Sequence, residues 1–323
     1  MKRRDVLTML GGAATALPLA ARAAQPPAPP VIGFVSGRTE AESGFALAAF
    51  RDGLAFAGYR TAVIETRWAD GDLDRVPALT GELLGRTIAV LAAVEGAQLP
   101  AAAKARGVPI VAIVDDAIVE SGLVANFNRP GGNVTGLYLM PQPLEQKRLA
   151  LLRGLLPQDT LIAVLANPNG ATVERQEQAL RTAAQQLGQR IEIFRSASDR
   201  AIDAAYDRLV AAGAVAVQVT DDPFFAGHRA QLLSLAARHR LPAIYPSRDF
   251  VAAGGLMSYG NNMEEAYRQL GRTAGEVLAG VSPATLPVQP ATRLALTINA
   301  RTAKALGLVL PPTLLAVADE VIG

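Results

Sequence analysis

The stretch Val31-Ile32-Gly33-Phe34-Val35-Ser36 decides the fold class of this chain. It is a short apolar run that ends in a small polar residue, and apolar residues then recur at helical spacing between 45 and 57. A buried strand followed by such a helix is the first half of a βαβ unit. The same pattern recurs further along, where the apolar run 161–166 precedes a helical pattern over 173–187. Repeated strand–helix alternation of this kind predicts parallel sheets.

The alternation falls into two sets, one before and one after the loop 126–136, and each set is large enough to form its own sheet. With 323 residues, of which 50% are hydrophobic, the chain can bury two sizeable cores. This composition also excludes a disordered, collagen-like or coiled-coil protein. We therefore predict an α/β fold made of two doubly wound parallel-sheet lobes.

In doubly wound sheets, ligands bind in the crevice beyond the carboxyl ends of the strands. The candidate ligand contacts are therefore the residues at or just after the ends of predicted strands, namely Ser36, Val94, Asp115, Asn167, Asp221, Tyr245 and Tyr259. Two further aromatic residues, Tyr138 and Phe224, could stack on a ligand or simply pack in a core. For each position, the alternative is a turn, cap or core residue without a ligand role.

The adjacent acids Asp221 and Asp222 illustrate this ambiguity. Asp222 precedes Pro223, and an Asp-Pro step suits the start of a helix, so Asp222 is the expected helix cap. Asp221 is then the expected ligand contact, although the two roles could be exchanged. A carboxylate at the crevice would pair well with an ammonium group or with sugar hydroxyls.

Motifs for enzyme chemistry are largely missing from the sequence. No G-x-G-x-x-G follows the first strand, neither a Walker loop nor H-E-x-x-H occurs, and the chain has no Cys and only two His. The segment 255–260 resembles a nucleophile elbow but carries one residue too many before Ser258. We therefore predict a protein that is not an enzyme, without cofactor, metal ligands or catalytic residues. An exported hydrolase using Asp115 or Asp221 is the less favoured alternative.

Residues 1–24 have the features of an export signal. Arg3 and Arg4 precede an apolar stretch rich in Ala and Gly, and Ala21-Arg22-Ala23 supplies the small residues of a cleavage site. The paired arginines predict a twin-arginine signal, with an ordinary Sec signal as the alternative. The Pro-rich segment 25–30 predicts a stiff linker. The working protein is therefore expected in the periplasm.

The formal net charge of +2 does not indicate an anionic partner. Four basic residues and one acidic residue lie within 1–24, so the rest of the chain has a formal net charge of −1. The remaining basic residues are dispersed and form no stripe with interleaved aromatic residues. No nucleic-acid partner is therefore expected.

Two segments, Arg129-Pro130-Gly131-Gly132-Asn133 and 255–260, are characteristic of one protein family. The segments 164–169, 222–225 and 296–308 fit the same family. Together they resemble the substrate-binding proteins of ABC transporters, in the branch that looks like type I periplasmic binding proteins. The resemblance covers almost the whole chain after the linker.

This resemblance implies two lobes joined by a hinge of three crossing segments. Lobe 1 would comprise 31–140 plus 248–285, and lobe 2 would comprise 141–247 plus 286–323. A small organic ligand, such as an amino acid or an aromatic compound, would bind between the lobes, which close around it. The closed protein, a monomer, would then dock on an ABC permease in the inner membrane. A ligand-sensing subunit of a membrane receptor or kinase is the alternative.

The candidate residues have expected roles in such a site. Ser36 and the amides of the following helix would hold an anionic group of the ligand. Asp221 would contact a cationic or hydroxyl group, and Asn167 would supply adaptable hydrogen bonds. An apolar part of the ligand would be covered by Tyr259, Tyr138 or Phe224. The segment 93–96 stands where relatives often carry a Thr-rich turn, and this departure leaves the identity of the ligand open.

Overall fold

The computed structural model describes residues 28–94, 107–114, 117–139, 144–170 and 172–323. Within these ranges the chain alternates between strands and helices, as the sequence pattern predicts. The predicted export signal over 1–24, the predicted helix over 97–106 and the candidate contact Asp115 lie outside the described residues.

The first lobe is built on a six-stranded parallel sheet. Its strands are β1 (Val31–Ser36), β2 (Val63–Trp68), β3 (Val90–Val94), β4 (Ile110–Val114), β5 (Val134–Tyr138) and β11 (Gln289–Pro290). They lie in the spatial order β11-β5-β4-β3-β1-β2. The described helices of this lobe are α1 (Glu40–Phe56), α2 (Val76–Leu84, after a 3-10 turn at Leu73–Arg75), α3 (Ala117–Glu120) and α10 (Met263–Leu278).

The second lobe is built on a seven-stranded sheet. Its strands are β6 (Leu161–Ala166), β7 (Arg190–Arg195), β8 (Ala214–Val219), β9 (Ala243–Tyr245), β10 (Met257–Asn261), β12 (Leu294–Asn299) and β13 (Glu320–Ile322), in the spatial order β13-β12-β10-β9-β8-β6-β7. Strands β10 and β12 are antiparallel, whereas the other neighbouring strands are parallel. Its described helices are α4 (Glu145–Arg153), α5 (Val173–Leu187), α6 (Asp199–Ala211), α7 (Pro223–Gly227), α8 (Arg229–Arg238), α9 (Arg248–Ala252), α11 (Ala300–Ala305) and α12 (Pro312–Leu315). The two α/β lobes confirm the predicted fold class.

The chain passes from one lobe to the other between β5 and α4, between β10 and α10, and between β11 and β12. The second passage differs from the boundary expected at 248. The segment 248–261 lies in the second lobe, because Met257 pairs with Ile244 of β9 and with Ile298 of β12. The residue types of this short strand do not determine which sheet it joins; its pairing partners do.

The third passage also differs from the expected boundary, which lies at 285. Strand β11 belongs to the first lobe, because Gln289 pairs with Leu137 and Pro290 with Tyr138 on β5. The hydroxyl of Thr135 also donates to the carbonyl of Leu286 at 2.7 Å. These contacts hold the segment 286–290 against the edge of the first sheet rather than the second.

Each sheet has a core on both of its faces, because successive strand residues point to opposite sides. On β1, Phe34 packs with Phe50 and Tyr267 under α1 and α10, whereas Val35 joins the cluster on the opposite face. In the second lobe, Tyr206 and other buried side chains fill one face, and a second cluster fills the other. Both lobes are therefore three-layered units with their own cores.

Capping side chains set the start of the helices that border the gap between the lobes. The Thr39 hydroxyl accepts from the Glu42 amide, and the Glu42 carboxylate accepts from the Thr39 amide, which completes a capping box at α1. Hydrogen bonding to Thr39 lowers the pKa of Glu42. At α10 the Asn262 side chain accepts from the Glu265 amide at 3.0 Å.

In the part of the chain that the structure describes, no helix is long and apolar enough to cross a membrane.

Candidate ligand-binding cleft

A cavity of about 1180 Å³ lies between the two lobes, near the carboxyl ends of β4, β8, β9 and β10. The wall from the first lobe is largely apolar and includes Phe45, Ile113, Val114, Ile118, Leu123 and Leu139. The wall from the second lobe is largely polar and includes Asp221, Ser247, Asp249, Thr297, Asp319 and Glu320. The cavity thus presents an apolar surface and a hydrogen-bonding surface to a single ligand.

Two aromatic rings give the apolar wall a fixed surface. Phe45 on α1 and Tyr267 on α10 both line the cavity, and their rings meet edge to face with centroids 5.7 Å apart. Tyr267 is only 1% exposed, so the core of the first lobe holds its ring in place. This geometry is the one that aromatic pairs favour, because a ring edge carries positive and a ring face negative partial charge.

Two ion pairs bridge the lobes at one edge of the cleft. Arg38 Nη1, just after β1, lies 2.7 Å from Asp249 Oδ2 on α9. Arg229 Nη2 on α8 lies 3.5 Å from Glu42 Oε1 on α1. The four side chains line a smaller cavity of about 660 Å³ beside the main one. These contacts hold the lobes together at this edge of the cleft.

We expect Asp249→Asn to lower the ratio of closed to open molecules about fivefold, because a partly exposed ion pair contributes up to about 1 kcal/mol. The readout is the distance between two spin labels, one attached to an exposed residue of each lobe. The cysteine-free chain allows each label to be placed on one introduced cysteine. Arg38→Met should produce the same opening, and the double variant should open no further than either single one.

Arg86→Met provides the control for this experiment, because Arg86 pairs with Glu65 within the first lobe. Its label distances should match those of the unmodified chain. Equal distance distributions for Asp249→Asn and Arg86→Met would show that the bridge does not hold the lobes together.

An arginine on the polar wall of the second lobe is likewise paired with an acid. Arg248 donates through Nε and Nη2 to the two carboxylate oxygens of Glu320, both at 2.6 Å. This hydrogen bonding lowers the pKa of Glu320 and raises the pKa of Arg248. Bidentate pairs of this kind are among the strongest that arginine forms, so the guanidinium is engaged before any ligand enters.

A buried arginine lies directly behind the polar wall. The Arg148 side chain is 1% exposed and its Nη1 donates to Glu145 Oε1 at 3.0 Å. Its Nε donates to the carbonyl of Tyr259 at 2.7 Å, and its Nη2 lies 3.8 Å from Asp221 Oδ2. Burial raises the pKa of Glu145, and the positive charge of Arg148 opposes this rise. Arg148 therefore connects α4, the middle of β10 and a carboxylate at the cavity.

Asp221 and Asp222 divide their roles as the Asp-Pro step predicts. The Asp222 side chain accepts from the Phe224 amide at 2.9 Å and caps α7. The Asp221 side chain is 66% exposed and lines the cavity. Among the described candidate contacts, Asp221 is the one that belongs to the lining of this cavity. Its contact with a ligand stays a prediction.

Ser36 lies at the end of β1 as expected, but its side chain is completely buried. Its Oγ is 3.3 Å from Ser43 Oγ on α1 and accepts from the Arg38 amide at 3.1 Å. The hydroxyl is thus used to join the end of β1 to the first turns of α1. An anion contact at Ser36 stays a prediction, and the geometry gives the hydroxyl a local partner instead.

Three other candidates contribute to the cores of the lobes. Val94 is 1% exposed and packs in the core of the first lobe. Tyr245 is also 1% exposed, its ring stacks on Phe250 at 4.6 Å between centroids, and burial raises its pKa. The ring of Tyr138 lies 4.5 Å from that of Phe127. The structure thus gives each of these side chains a packing partner.

The last three candidates lie near the cleft but face other protein groups. Asn167 donates to Asp222 Oδ1 at 2.9 Å, which helps to position the cap of α7. The ring of Phe224 lies 4.2 Å from that of His228. Tyr259 contributes its carbonyl to Arg148, while its ring packs against the core of the second lobe. Ligand contacts by these residues stay predictions.

Sequence reasoning missed Arg38, Phe45, Asp249 and Glu320, which all line the cavity. Arg38 had a usable signal, because it follows the end of β1 by two residues. Phe45 follows the helical pattern of α1, which predicts a core position. Asp249 lies on α9 and Glu320 on β13, and only the packing of the two lobes brings these elements to the cleft.

Across the described ranges, no group of three or more His, Cys, Asp or Glu residues could hold a metal ion.

Comparison with known proteins gives a match over almost all of the described chain. The sequence profile of a family described as ABC transporter substrate binding protein matches residues 31–322. A tyrosine-binding protein of Clostridioides difficile (strain R20291) is 28% identical over 204 residues, which are 62% of this chain and 57% of that protein. The aligned region thus covers just over half the length of this curated relative.

Two solved structures share the fold at low sequence identity. One is a ligand-free, open substrate binding protein with adhesive properties from Clostridium difficile, with a TM-score of 0.70, 22% identity and coverage of 91% of this chain and 99% of that chain. The other is an ABC domain from Streptococcus pneumonia in complex with L-Trp, with a TM-score of 0.68, 22% identity and the same coverage. At these identities, the superpositions establish the architecture of two lobes around a cleft.

Proposed function

Because the chain belongs to the family of ABC transporter substrate-binding proteins, we propose that it is a periplasmic receptor that delivers a small organic ligand to an ABC importer. The ligand is an amino acid or an aromatic compound that binds between the lobes. The tyrosine-binding relative and the L-Trp complex support this range of ligands. Substrate binding without catalysis is the activity that this family assignment favours.

The cavity between the lobes is the observation that carries this proposal. Its two walls come from different lobes, and one is largely apolar while the other is polar. A ligand with an apolar body and a polar group would contact both walls at once. Such a ligand interacts more favourably with the closed form and shifts the population towards it.

The proposals that the receptor is periplasmic and that it delivers its ligand to an importer rest on the sequence as well as on the family. The features of residues 1–24 support export, by a twin-arginine or a Sec signal, to the periplasm. The closed receptor, acting as a monomer, would then dock on the permease of an ABC importer. A permease needs a signal that distinguishes loaded from empty receptor, and closure around the ligand supplies it.

Binding is tested by thermal unfolding of the purified chain with a panel of amino acids, aromatic acids, aromatic amines and sugars. A ligand present at about 100 times its dissociation constant should stabilise the protein by about 2.7 kcal/mol. Native mass spectrometry of the untreated protein should also detect a small molecule retained from the cell. If no compound of the panel stabilises the protein and the mass spectrum shows no retained small molecule, the proposed receptor function is contradicted.

Delivery is tested by uptake of the radiolabelled ligand in cells that lack the gene and in complemented cells. Uptake should fall strongly without the gene and return with the full-length chain. Replacement of Arg3 and Arg4 by lysines should abolish complementation if the twin-arginine route is used. Normal uptake in the deletion strain, combined with loss of a cellular response to the ligand, would instead establish the sensing alternative.

A further inference from the structure

We infer that the cleft selects an organic amine, a cation with an apolar body and no carboxylate. This inference rests on the proposed receptor function and departs from the amino acids named there, because it excludes ligands that carry a carboxylate. The site itself is defined by the cavity between the lobes. The charges on its lining decide which ligand it accepts.

The lining of the cavity carries more negative than positive charge. Among the described residues of the lining, the charged ones are five acids and two arginines: Asp221, Asp249, Glu264, Asp319, Glu320, Arg38 and Arg248. Glu264 is also bonded at 2.8 Å to Arg268, which lies outside this lining, so the excess of carboxylates rests on Asp221 and Asp319. A cleft lined by one sign of charge raises the local concentration of ions of the opposite sign. The excess of carboxylates therefore attracts a cation and repels an anion.

The two arginines among the described lining residues are already bound to carboxylates. Arg38 lies 2.7 Å from Asp249, and Arg248 makes two bonds of 2.6 Å to Glu320. A ligand carboxylate would have to displace one of these acids, which would leave that acid in the cleft without its cation. This competition disfavours ligands that carry a carboxylate.

Acceptor groups remain available for the amine. The Asp221 carboxylate is 66% exposed, and its cation neighbour Arg148 is 3.8 Å away, beyond hydrogen-bonding distance. Asn261 also lines the cavity, and its Oδ1 is buried without a hydrogen-bond partner among the described residues. An ammonium group has three donors and no acceptor, so it fits this set of oxygens.

The opposite wall suits the rest of such a ligand. Phe45, Ile113 and Leu139 offer apolar surface, and the ring of Phe45 is fixed by its contact with Tyr267. Burial of an alkyl or aryl group on this wall releases water from apolar surface. An amine near an aromatic ring also gains a cation–π attraction. An aryl-alkyl or alkyl amine therefore satisfies both walls.

The test compares ligands that share a body and differ in charge. Phenethylamine is a cation, phenylalanine a zwitterion and 3-phenylpropionate an anion, and hexylamine, norleucine and hexanoate form a second series. Isothermal titration on the full chain at 0.15 M salt should show at least tenfold tighter binding of the amine than of the amino acid in one series. The anions should not bind measurably.

One variant tests whether the preference for amines arises in the cleft. Asp221→Asn should weaken amine binding at least tenfold and should not weaken binding of the amino acid to the same extent. The matched control is Asp52→Asn, which makes the same charge change on an exposed position of α1 outside the cavity lining. Its amine affinity should stay within twofold of that of the unmodified chain.

Two results would overturn the inference. One is the absence, in both series, of a preference for the amine over the matching amino acid and anion. The other is absence of binding by both amines. The proposed receptor function would still stand if other members of the broad panel bind, so failure of the two proposals can be told apart.

Discussion

Replacement of Arg148 by Met is expected to lower the free energy of unfolding by about 3–5 kcal/mol at pH 7. Met is shorter than Arg and apolar, and it leaves the buried Glu145 carboxylate without its cation and the Tyr259 carbonyl without its donor. Removal of one partner from a buried pair costs more than the pair contributes, because the remaining charge cannot be solvated. Urea-induced unfolding followed by circular dichroism measures the loss.

The loss should depend on pH in a defined direction. Burial already raises the pKa of Glu145, and the charge of Arg148 opposes that rise, so the variant should raise this pKa further. The folded variant then binds a proton at a higher pH than the unfolded chain does. Its deficit in stability should therefore shrink as the pH falls from about 8 towards 5. Glu145→Gln in the Arg148→Met background should recover part of the loss at pH 7.

Arg75→Met is a matched control at the surface. Arg75 also donates to a carboxylate and to a backbone carbonyl, those of Asp70 and Ala69. Both charged side chains are about half exposed, so water can replace the lost contacts. We expect a change of at most about 1 kcal/mol. A loss for Arg148→Met no larger than this would refute the argument from burial.

The lobes themselves could be predicted from the sequence because local patterns determine them. Apolar runs such as 31–36 and 161–166 are buried on both faces, and this favours central strands of a parallel sheet. The points at which the chain crosses between lobes were harder to place. The strand Met257–Asn261 carries Ser, Gly and Asn and has no pattern that says which sheet it joins, and its antiparallel pairing with β12 depends on residues nearly 40 positions away in the sequence.

The candidate site was predictable only in part, for a related reason. Asp221 could be predicted because it lies two residues after the end of a buried strand, and the carboxyl ends of such strands face the cleft. Ser36 follows the same rule, yet its hydroxyl faces Ser43 on α1. The end of a strand fixes where a residue lies but not where its side chain points.

Contacts between the lobes could not be predicted from sequence patterns. Arg38 and Asp249 are 211 positions apart, and they meet because two separately folded lobes face each other. No local periodicity encodes that arrangement. The charge balance of the cleft, on which the ligand class depends, therefore becomes visible only when both walls are in place.

Replacement of Gly53 by Ala is expected to lower the free energy of unfolding by about 3 kcal/mol, near the upper end of the range for overpacking. An added Cβ would lie only 1.9 Å from the carbonyl oxygen of Arg268, where helix α1 crosses α10. Gly271 faces the same crossing, and its added Cβ would lie 2.1 Å from the carbonyl oxygen of Phe50. Backbone atoms of a helix cannot move aside alone, so the two helices must separate. Their separation would expose the core that contains Phe34.

Gly44→Ala separates this packing effect from helix propensity, because Gly44 lies on the same helix with nothing within 4 Å of its added Cβ. Ala is favoured over Gly inside a helix, so this variant should be stabilised by about 0.5–1 kcal/mol. Gly53→Ala has the same gain in propensity, and a net loss of stability must therefore come from the crossing. Thermal and urea unfolding of both variants measure the two changes in the free energy of unfolding. Stabilisation of both would mean that α1 and α10 can separate without cost, contrary to the close contact of their backbones.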